Sequence, residues 1–244
     1  MLNLAGTFWT DQLLTRLGPR QVCLTFDDGP GDPQKGQTLA IAEFLHREGI
    51  SATFFVVGQR IEQPGGRETL YRLRQLGHTI GNHTFSHPDL PTLVQSGPEK
   101  VAREFVDTHH LIRDFVHDQP LMFRPPFGTW DESVAMAMNS VLELNHYHGP
   151  FCWHVECQDW SLGKKVDGEI WTIEHSQDRF QSQLQPHQRG LILLHDCLAD
   201  KIQTEGNYRR DALGFELTKR IVGWLRQEQY KFTSLDLLIG EETS

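Results

Sequence analysis

Positive charge is scarce in this 244-residue chain, which has 23 lysines and arginines against 32 aspartates and glutamates and a formal net charge of −9. A protein that binds nucleic acid or an anionic membrane surface through its overall charge has the opposite balance. We therefore expect neither nucleic acid nor a membrane as a partner. Neutral sugars remain compatible with this surface.

Long hydrophobic runs are also absent, and none reaches the length of a membrane span. Residues 1–17 carry several apolar side chains, but they lack a basic start and contain Asp11 within the apolar pattern, unlike a secretory signal. These absences predict a cytoplasmic protein. If a leader were missing from this sequence, the expectation would change to export.

Cysteine is rare, with four residues at positions 23, 152, 157 and 197, and none in the CxxC spacing of a zinc ribbon. We expect reduced cysteines that pack as small hydrophobic residues. Cys23, Cys157 and Cys197 each lie within four residues of a motif position described below, so a thiol close to a metal is a secondary alternative.

No internal repeat, low-complexity tract or long block of charge divides the chain. Its length is normal for one α/β barrel, and a hydrophobic content of 38% is enough for a buried core. We therefore predict a single domain over residues 1–244.

Strand-like and helix-like segments alternate along the chain. The predicted strands cover residues 22–26, 52–57, 79–81, 121–124, 149–154, 190–194 and 231–234. The predicted helices cover residues 36–48, 68–76, 98–117, 132–142, 167–184 and 209–229. Such alternation predicts an α/β fold with a parallel sheet and helical crossovers.

Two adjacent carboxylates, Asp27 and Asp28, end a strand-like run over residues 21–26, and Gly29 and Pro30 then stop the strand. Because successive side chains of a strand point to opposite sides, two such acids can do different work around one centre. One would bind a metal while the other moves a proton. Taken alone, the pattern is equally typical of a solvated turn.

His83 and His87 supply two imidazoles four positions apart, after an apolar stretch that ends at Gly81. Two histidines and one carboxylate make a site for a first-row metal and leave positions open for water and substrate, as in catalytic zinc sites. Thr84 stands where HExxH metalloproteases carry their glutamate base. The base must therefore come from elsewhere, and Asp27 is available.

Three further segments carry polar side chains of interest. They are Arg124-Pro125-Pro126-Phe127, residues 153–160 with Glu156, Asp159 and Trp160, and residues 191–196 with Leu193 and His195. Each has an ordinary structural interpretation, as a surface turn, a loop that closes onto the core, or a hydrogen-bonded histidine at a strand end. Their joint occurrence with the carboxylate and histidine pairs indicates an active site.

Together these segments resemble the polysaccharide deacetylase family (carbohydrate esterase family four), whose motifs are TFDDG, H(S/T)xxH, RxP(Y/F), DxxDW and LxH in that order. Four motifs are present without change, and the resemblance spans residues 21–238. The departure is Glu156 at the first Asp of DxxDW, which keeps the charge but moves it by one methylene. The resemblance implies a distorted (β/α) barrel of about seven parallel strands, with catalytic groups at the carboxyl ends of strands.

As a hypothesis, Asp28, His83 and His87 hold one divalent metal. Zinc is the first choice, and cobalt, nickel and iron(II) suit the same ligand set. Asp27 would then be the catalytic base that takes a proton from the attacking water, and Arg124 would orient it.

The remaining candidate residues would donate a proton or bind the substrate. His195 would be the general acid for the departing amine, positioned by Asp159. By resemblance, the N–H of Phe127 would stabilise the oxyanion. Trp160 and Leu193 would line a small apolar pocket for the acetyl methyl.

The main functional hypothesis is a metal-dependent N-deacetylase of glycans that contain N-acetylglucosamine, such as chitooligosaccharides or peptidoglycan-type sugars. An O-acetyl esterase on xylan-like polysaccharide and an amidase for a small non-sugar amide remain alternatives, because specificity resides in the loops. A non-catalytic glycan-binding module is a further alternative. Such a protein would be expected to lose Asp27, His195 or a metal ligand, and none is lost.

Overall fold

The computed structural model describes residues 8–34, 36–198 and 205–240. Its strands are β1 (Gln21–Asp27), β2 (Thr53–Val56), β3 (Thr79–Asn82), β4 (Leu121–Met122), β5 (Tyr147–His148), β6 (Val155–Glu156), β7 (Lys165–Val166), β8 (Glu169–Ile170), β9 (Gly190–His195) and β10 (Lys231–Phe232). Its helices are α1 (Phe8–Arg16), α2 (Thr38–Arg47), α3 (Gly58–Ile61), α4 (Gly66–Gln75), α5 (Leu90–Val94), α6 (Pro98–Ile112), α7 (Glu132–Asn139), α8 (Ile173–Leu184), α9 (Glu205–Gln227) and α10 (Leu235–Gly240). The predicted α/β class is confirmed.

Strand β1 lies at the centre of a parallel sheet with the order β3-β2-β1-β9-β6, and β10 pairs with its beginning. Nearly every residue of β1, β2, β3 and β9 is buried, as expected for parallel strands that are covered on both faces. The register between β1 and β9 ends with Asp27 opposite His195. Two predicted site residues are therefore neighbours across one ladder.

A second parallel pair, β4 and β5, extends this order beyond β3. It is joined to β3 by an isolated bridge between Asn82 and Phe123. The parallel strands thus follow the order β5-β4-β3-β2-β1-β9-β6, which matches the seven strands expected of the barrel. Among the described residues no ladder joins β5 to β6, so hydrogen bonds do not close the ring there.

The predicted strand over residues 149–154 is wrong. The Gly149–Pro150 peptide bond is cis, and the chain leaves the ladder between β5 and β6. Proline has no N–H to donate to a ladder. The Phe151 N–H instead donates to the Phe123 carbonyl, and the His154 N–H donates to the Leu191 carbonyl. The segment therefore crosses between two neighbours and does not run along one of them.

The predicted helix over residues 167–184 begins too early, since α8 begins at Ile173 behind a Thr172 cap. Asp167 and Gly168 instead form the turn of the antiparallel β7–β8 hairpin, with φ angles of 51° and 91°. Asp-Gly is a favoured sequence for a two-residue hairpin turn, which needs positive φ at both positions. This local preference outweighs the helical pattern that follows.

The other predicted strands and helices are confirmed apart from their ends, and α1, α3, α5 and α10 are additional to them. Residues 1–7 of the apolar 1–17 segment lie outside the described residues. Its second part forms α1, and Leu13 and Leu17 are buried in a cluster with Leu235 and Leu238. None of the described helices is long and apolar enough to cross a membrane.

Candidate active site

The three predicted metal ligands converge at the carboxyl ends of β1 and β3. Asp28 follows β1, while His83 and His87 follow β3. The Nε2 atom of His83 lies 3.4 Å from Oδ1 of Asp28, and Nε2 of His87 lies 3.2 Å from the same oxygen. All three donor atoms lie within 4.8 Å of one another.

This donor set fits a first-row metal. Two ligand atoms that each lie about 2.1 Å from a zinc ion, at a tetrahedral angle, are roughly 3.4 Å apart. The distances from Asp28 Oδ1 to the two imidazoles have this size. One carboxylate and two imidazoles are also the ligand types that zinc and its neighbours prefer. Asp28, His83 and His87 are therefore the residues that could hold one divalent ion.

Unusual backbone conformations direct these ligands inward. Asp28, Thr84 and His87 have φ angles of 78°, 67° and 58°, in the left-handed region that residues with a Cβ seldom adopt. Such conformations persist only where surrounding contacts hold them, and they cluster at functional sites. The two loops that carry the predicted ligands are therefore held in backbone conformations that are unfavourable on their own.

Contacts from other segments of the chain hold the histidine loop. His83 Nδ1 lies 2.8 Å from the Arg124 carbonyl, an interaction that leaves Nε2 for the metal. Glu104 of α6 accepts the N–H groups of Phe85 and Ser86 at 2.9 and 2.7 Å and the Ser86 hydroxyl at 2.7 Å. Glu104 was not predicted, because its contribution depends on how α6 packs against the loop.

Asp28 is ionised in this setting. Burial opposes its negative charge, but the adjacent imidazoles of His83 and His87 outweigh that effect and hold the pKa of Asp28 well below its usual value. The carboxylate is therefore in the form that a metal ion requires of its ligand.

On one side of the ligands lies a buried ion pair between Asp27 and Arg124. Arg124 Nη1 donates to Oδ1 of Asp27 at 2.7 Å, and neither side chain is more than 4% exposed. The other carboxylate oxygen, Oδ2, lies 3.7 Å from Nε2 of His83. Asp27 therefore presents one oxygen to the arginine and the other to the metal-ligand group.

Arg124 is fixed by further contacts. Its Nε donates to the Phe151 carbonyl at 2.8 Å, its Nη2 donates to the Cys152 carbonyl at 3.1 Å, and its Nη1 also donates to the Thr25 hydroxyl at 2.8 Å. Its guanidinium carbon lies 4.3 Å from the Phe55 ring centroid. The irregular 149–154 segment thus supplies carbonyl groups that a regular strand would direct into a ladder.

On the other side lies His195, the last residue of β9. Its Nδ1 lies 2.8 Å from Oδ1 of Asp159, and its backbone N–H donates to Oδ2 of Asp159 at 2.8 Å. Burial favours the neutral imidazole, but the Asp159 carboxylate outweighs it, and the pKa of His195 rises to about 9. His195 is therefore protonated at neutral pH.

Asp159 has a second cationic partner, Arg210 of α9, which the sequence analysis did not include. Arg210 Nη2 donates to Oδ2 of Asp159 at 2.8 Å. Burial opposes the charge of Asp159, while His195 and Arg210 together hold its pKa below the usual value. No motif in the sequence marks Arg210, because it reaches the site through the packing of a helix that follows β9.

The group of Asp27 and the predicted metal ligands faces the same cleft as His195, and the volume of this cleft is about 750 Å³. Eight of the ten predicted site residues line it, namely Asp27, Asp28, His83, His87, Phe127, Trp160, Leu193 and His195. Arg124 and Asp159 lie behind the wall and are buried. Phe127 and Trp160 are 62% and 44% exposed, and the Phe127 ring lies 4.7 Å from the His87 ring, edge to face.

Five further residues line the cleft: Ser86, Trp153, Glu156, Lys164 and Leu198. The carboxylate of Glu156, the departure from the family pattern, is bound by Arg179 of α8, whose Nε donates to Oε1 at 2.9 Å, and by the Gln158 N–H at 3.0 Å. Trp153 belongs to the cleft wall, so its aromatic ring lies where a substrate would bind.

The cysteines are free, and all but Cys152 are buried. Burial raises the pKa of Cys157 and Cys197 well above the usual range. Cys197 Sγ donates to the carbonyl of Asp28 at 3.1 Å. Its thiol therefore supports the backbone of a predicted metal ligand and does not belong to the group of Asp28, His83 and His87.

Comparisons with known proteins agree with this geometry. The family profile described as polysaccharide deacetylase matches residues 15–142. A chitooligosaccharide deacetylase from Rhizobium leguminosarum bv. trifolii is 32% identical over 185 residues, which are 75% of this chain and 75% of that protein. Chitin deacetylase 1 from Cryptococcus neoformans var. grubii is 28% identical over 91% of this chain, but the match spans only 44% of that longer protein.

The fold has known relatives as well. The structure of the chitin deacetylase from Colletotrichum lindemuthianum is similar with a TM-score of 0.69 at 22% identity, over 90% of this chain and 87% of that chain. At this identity the likeness shows the fold. Taken with the profile match and the relative from Rhizobium, the five motif segments around one cleft show that the chain belongs to the polysaccharide deacetylase family.

Proposed function

We propose that this protein is a metal-dependent deacetylase that hydrolyses the N-acetyl group of glycans containing N-acetylglucosamine. One observation carries the proposal: a metal-ligand group, a carboxylate held by an arginine, and a histidine held by a carboxylate all face one cleft. Amide hydrolysis needs an activated water, stabilisation of the developing negative charge, and a proton for the departing nitrogen. The cleft has a candidate group for each requirement.

Asp28, His83 and His87 would hold the metal, for which zinc is our first choice and cobalt, nickel or iron(II) are alternatives. When bound, such an ion lowers the pKa of a water molecule and polarises the acetyl carbonyl. Three protein ligands are the usual number in catalytic zinc sites.

Asp27 is the proposed base. Its Oδ1 is occupied by Arg124, so Oδ2, which lies on the side of His83, is the atom that takes the proton of the attacking water. Arg124 holds this orientation without reaching the substrate, since the residues that line the cleft do not include it.

His195 is the proposed general acid. An amide anion is a very poor leaving group, so the C–N bond breaks only when the nitrogen receives a proton. Because Nδ1 of His195 is held by Asp159, its Nε2 is the atom that gives this proton to the sugar amine. The raised pKa of His195 supports the role, since the proton is present at neutral pH.

The remaining roles concern the acetyl group and the sugar. The N–H of Phe127 is the proposed donor to the oxyanion, and Trp160 and Leu193 form the proposed wall around the acetyl methyl. The glycan assignment is supported by relatives that are named as deacetylases of chitooligosaccharide and chitin. Aromatic faces of Phe127, Trp153 and Trp160 on the cleft also suit the apolar faces of sugars.

The test is acetate release from N-acetylglucosamine oligomers, acetylated xylan and a small acetamide, measured side by side. Metal-stripped protein would be assayed with and without added zinc. His87→Ala should lose both zinc and activity, because it removes one of three ligands. His187→Ala, at an exposed position after α8 outside the cleft, is the matched control and should retain both.

The outcomes separate the candidate functions. Zinc-dependent acetate from the N-acetylglucosamine oligomers supports the proposal. Acetate from xylan alone would make the protein an O-acetyl esterase, and acetate from acetamide alone would make it a small-molecule amidase. Zinc binding without acetate from any substrate would contradict an enzymatic role for this cleft.

A further inference from the structure

Arg210 is a buried cation that has no part in the mechanism above. It lies in α9, and its side chain is only 2% exposed. Besides the bond to Oδ2 of Asp159, its Nε donates to the backbone carbonyl of Asp159 at 3.0 Å, and its Nη1 donates to the backbone carbonyl of His195 at 3.2 Å. One guanidinium therefore binds both members of the pair that would donate the proton.

The elements that carry this pair need such a connection. Asp159 begins a single 3₁₀ turn, Asp159–Ser161, and His195 is the terminal residue of β9. Short turns and strand ends are held by few backbone hydrogen bonds of their own. Arg210 reaches them from a third element, a helix of 23 residues, and ties the turn to the strand.

Asp159 and Asp211 are the two carboxylate partners of Arg210. Asp159 lies between Arg210 and His195, with one carboxylate oxygen 2.8 Å from each side chain. Asp211, the next residue of α9, accepts a hydrogen bond from Arg210 Nη1 at 3.2 Å and is likewise buried. A buried arginine with two carboxylate partners and two carbonyl partners is held in one orientation.

We propose that Arg210 is a positioning residue for the general acid. It holds the carboxylate of Asp159 and the backbone of His195 in the one arrangement that directs Nε2 of His195 to the departing nitrogen. Arg210 is not among the residues that line the cleft, so it acts through His195 and not on the substrate. This inference rests on the proposed function. It predicts that loss of Arg210 slows the reaction only for substrates whose leaving group needs a proton.

The test compares two acetyl donors that differ in this respect. An N-acetylglucosamine oligomer needs a proton on its leaving nitrogen, whereas 4-nitrophenyl acetate releases a stable phenolate without one. For Arg210→Gln we expect kcat on the oligomer to fall by about 100-fold, the lower end of what a positioned acid contributes, with KM unchanged. Hydrolysis of 4-nitrophenyl acetate and zinc content should remain at wild-type values.

Arg209→Gln is the matched control. Arg209 is the neighbouring residue in α9, carries the same side chain and is exposed. Its substitution should leave both reactions unchanged. A loss on the oligomer with this variant would attribute the effect to α9 as a whole and would overturn the assignment to Arg210.

A double-mutant cycle tests whether the effect passes through His195. Adding Arg210→Gln to His195→Ala should cause no further loss on the oligomer, because two residues that act as one unit are not additive. A further loss comparable to that of Arg210→Gln alone would overturn the proposal. Equal losses on both acetyl donors would assign Arg210 a purely structural role and overturn it as well.

A second variant and an assay of the wild-type protein complete the test. If Arg210→Gln does not fold, Arg210→Lys, which keeps the charge but loses the fork of donors, is assayed in the same way and should show a smaller loss confined to the oligomer. Failure of the proposed function would be recognised separately, because the zinc-loaded wild-type protein would then release no acetate from the oligomer.

Discussion

The two sides of the cleft use the same pair of groups, a buried carboxylate and a buried arginine, in opposite ways. On one side Asp27 faces the metal ligands and Arg124 lies behind it. On the other side an imidazole, His195, stands between Asp159 and the cleft, and Arg210 lies behind Asp159. In the proposed mechanism, this one inserted ring makes the second side a proton donor and the first a proton acceptor.

The order of the groups therefore decides the chemistry proposed for each side. In the proposed mechanism the carboxylate of Asp27, which borders the cleft, takes a proton, whereas the carboxylate of Asp159, which lies behind His195, raises the pKa of that imidazole. On the second side Arg210 partly offsets this rise, since its charge lowers the pKa of His195. Four predictions test whether the two sides differ in this way.

The largest effect is expected from Asp27→Asn. This change removes the base for both amide and ester substrates and leaves the fully buried Arg124 without its carboxylate. We expect both activities to fall by roughly 10³-fold or more. The free energy of unfolding should fall by about 3–5 kcal/mol, the usual cost when one partner of a buried ion pair is removed.

Acetate release and urea unfolding measure these two losses. Asp114→Asn is the control, because it removes the carboxylate of an exposed pair with Arg67, and such pairs contribute about 0–1 kcal/mol. If Asp27→Asn retained wild-type activity, Asp27 could not be the base.

A smaller and more selective effect is expected from Asp159→Asn. The amide keeps the shape of the side chain but removes the charge that His195 and Arg210 share. We expect a loss of about 100-fold on the N-acetylglucosamine oligomer and little change on 4-nitrophenyl acetate. Equal losses of activity on both substrates would mean that Asp159 does not act through proton donation by His195.

The stability of the metal-free protein should depend on pH through His195. The pKa of His195 is raised to about 9 from an ordinary value of 6.5, because the effect of Asp159 exceeds that of burial. The attraction therefore stabilises the folded protein fully below pH 6.5 and is lost as the pH rises through about 9.

An NMR titration of His195 in the metal-free wild type should give this raised pKa, and Asp159→Asn should lower it. The stability difference between the two proteins should be larger at pH 6 than at pH 10. A His195 that titrates at its ordinary value in the wild type would contradict the prediction.

The smallest effect is expected at a third carboxylate–arginine pair, Glu156 with Arg179. Glu156 borders the cleft, but its carboxylate is bound to Arg179, which is 39% exposed. Glu156→Asp, which restores the family pattern, and Glu156→Gln should each change kcat by less than about 3-fold, since such partly exposed pairs are weak. Steady-state kinetics on the oligomer would show a larger loss if this acid took part in catalysis.

Much of the site could be predicted from the sequence, because its residues lie at the ends of strands. Asp27, His83 and His195 each end or follow a buried parallel strand, and the carboxyl ends of such strands meet. Arg210 and Glu104 could not be found in this way. They belong to helices without local signals, and their contacts with the site arise only from tertiary packing.

The fold could likewise be predicted only in part from the sequence. The strands at the centre of the sheet have continuous apolar runs, and their positions were predicted closely. The 149–154 segment resembles a strand in its apolar content, but Pro150 has no N–H for a ladder and the segment is irregular. Residues 167–172 precede a helical pattern, but Asp167 and Gly168 favour the turn of a hairpin.

Asp27 and His195 are the last register pair between β1 and β9, two adjacent strands whose six pairs run without a break. The separation between the two is therefore set by the peptide backbone at the middle of the sheet, and not by any loop. Loops around the cleft could therefore be replaced by grafting without a change in this separation. Such a graft would alter the surface that meets the substrate while the spacing between the proposed base and the proposed acid stays the same.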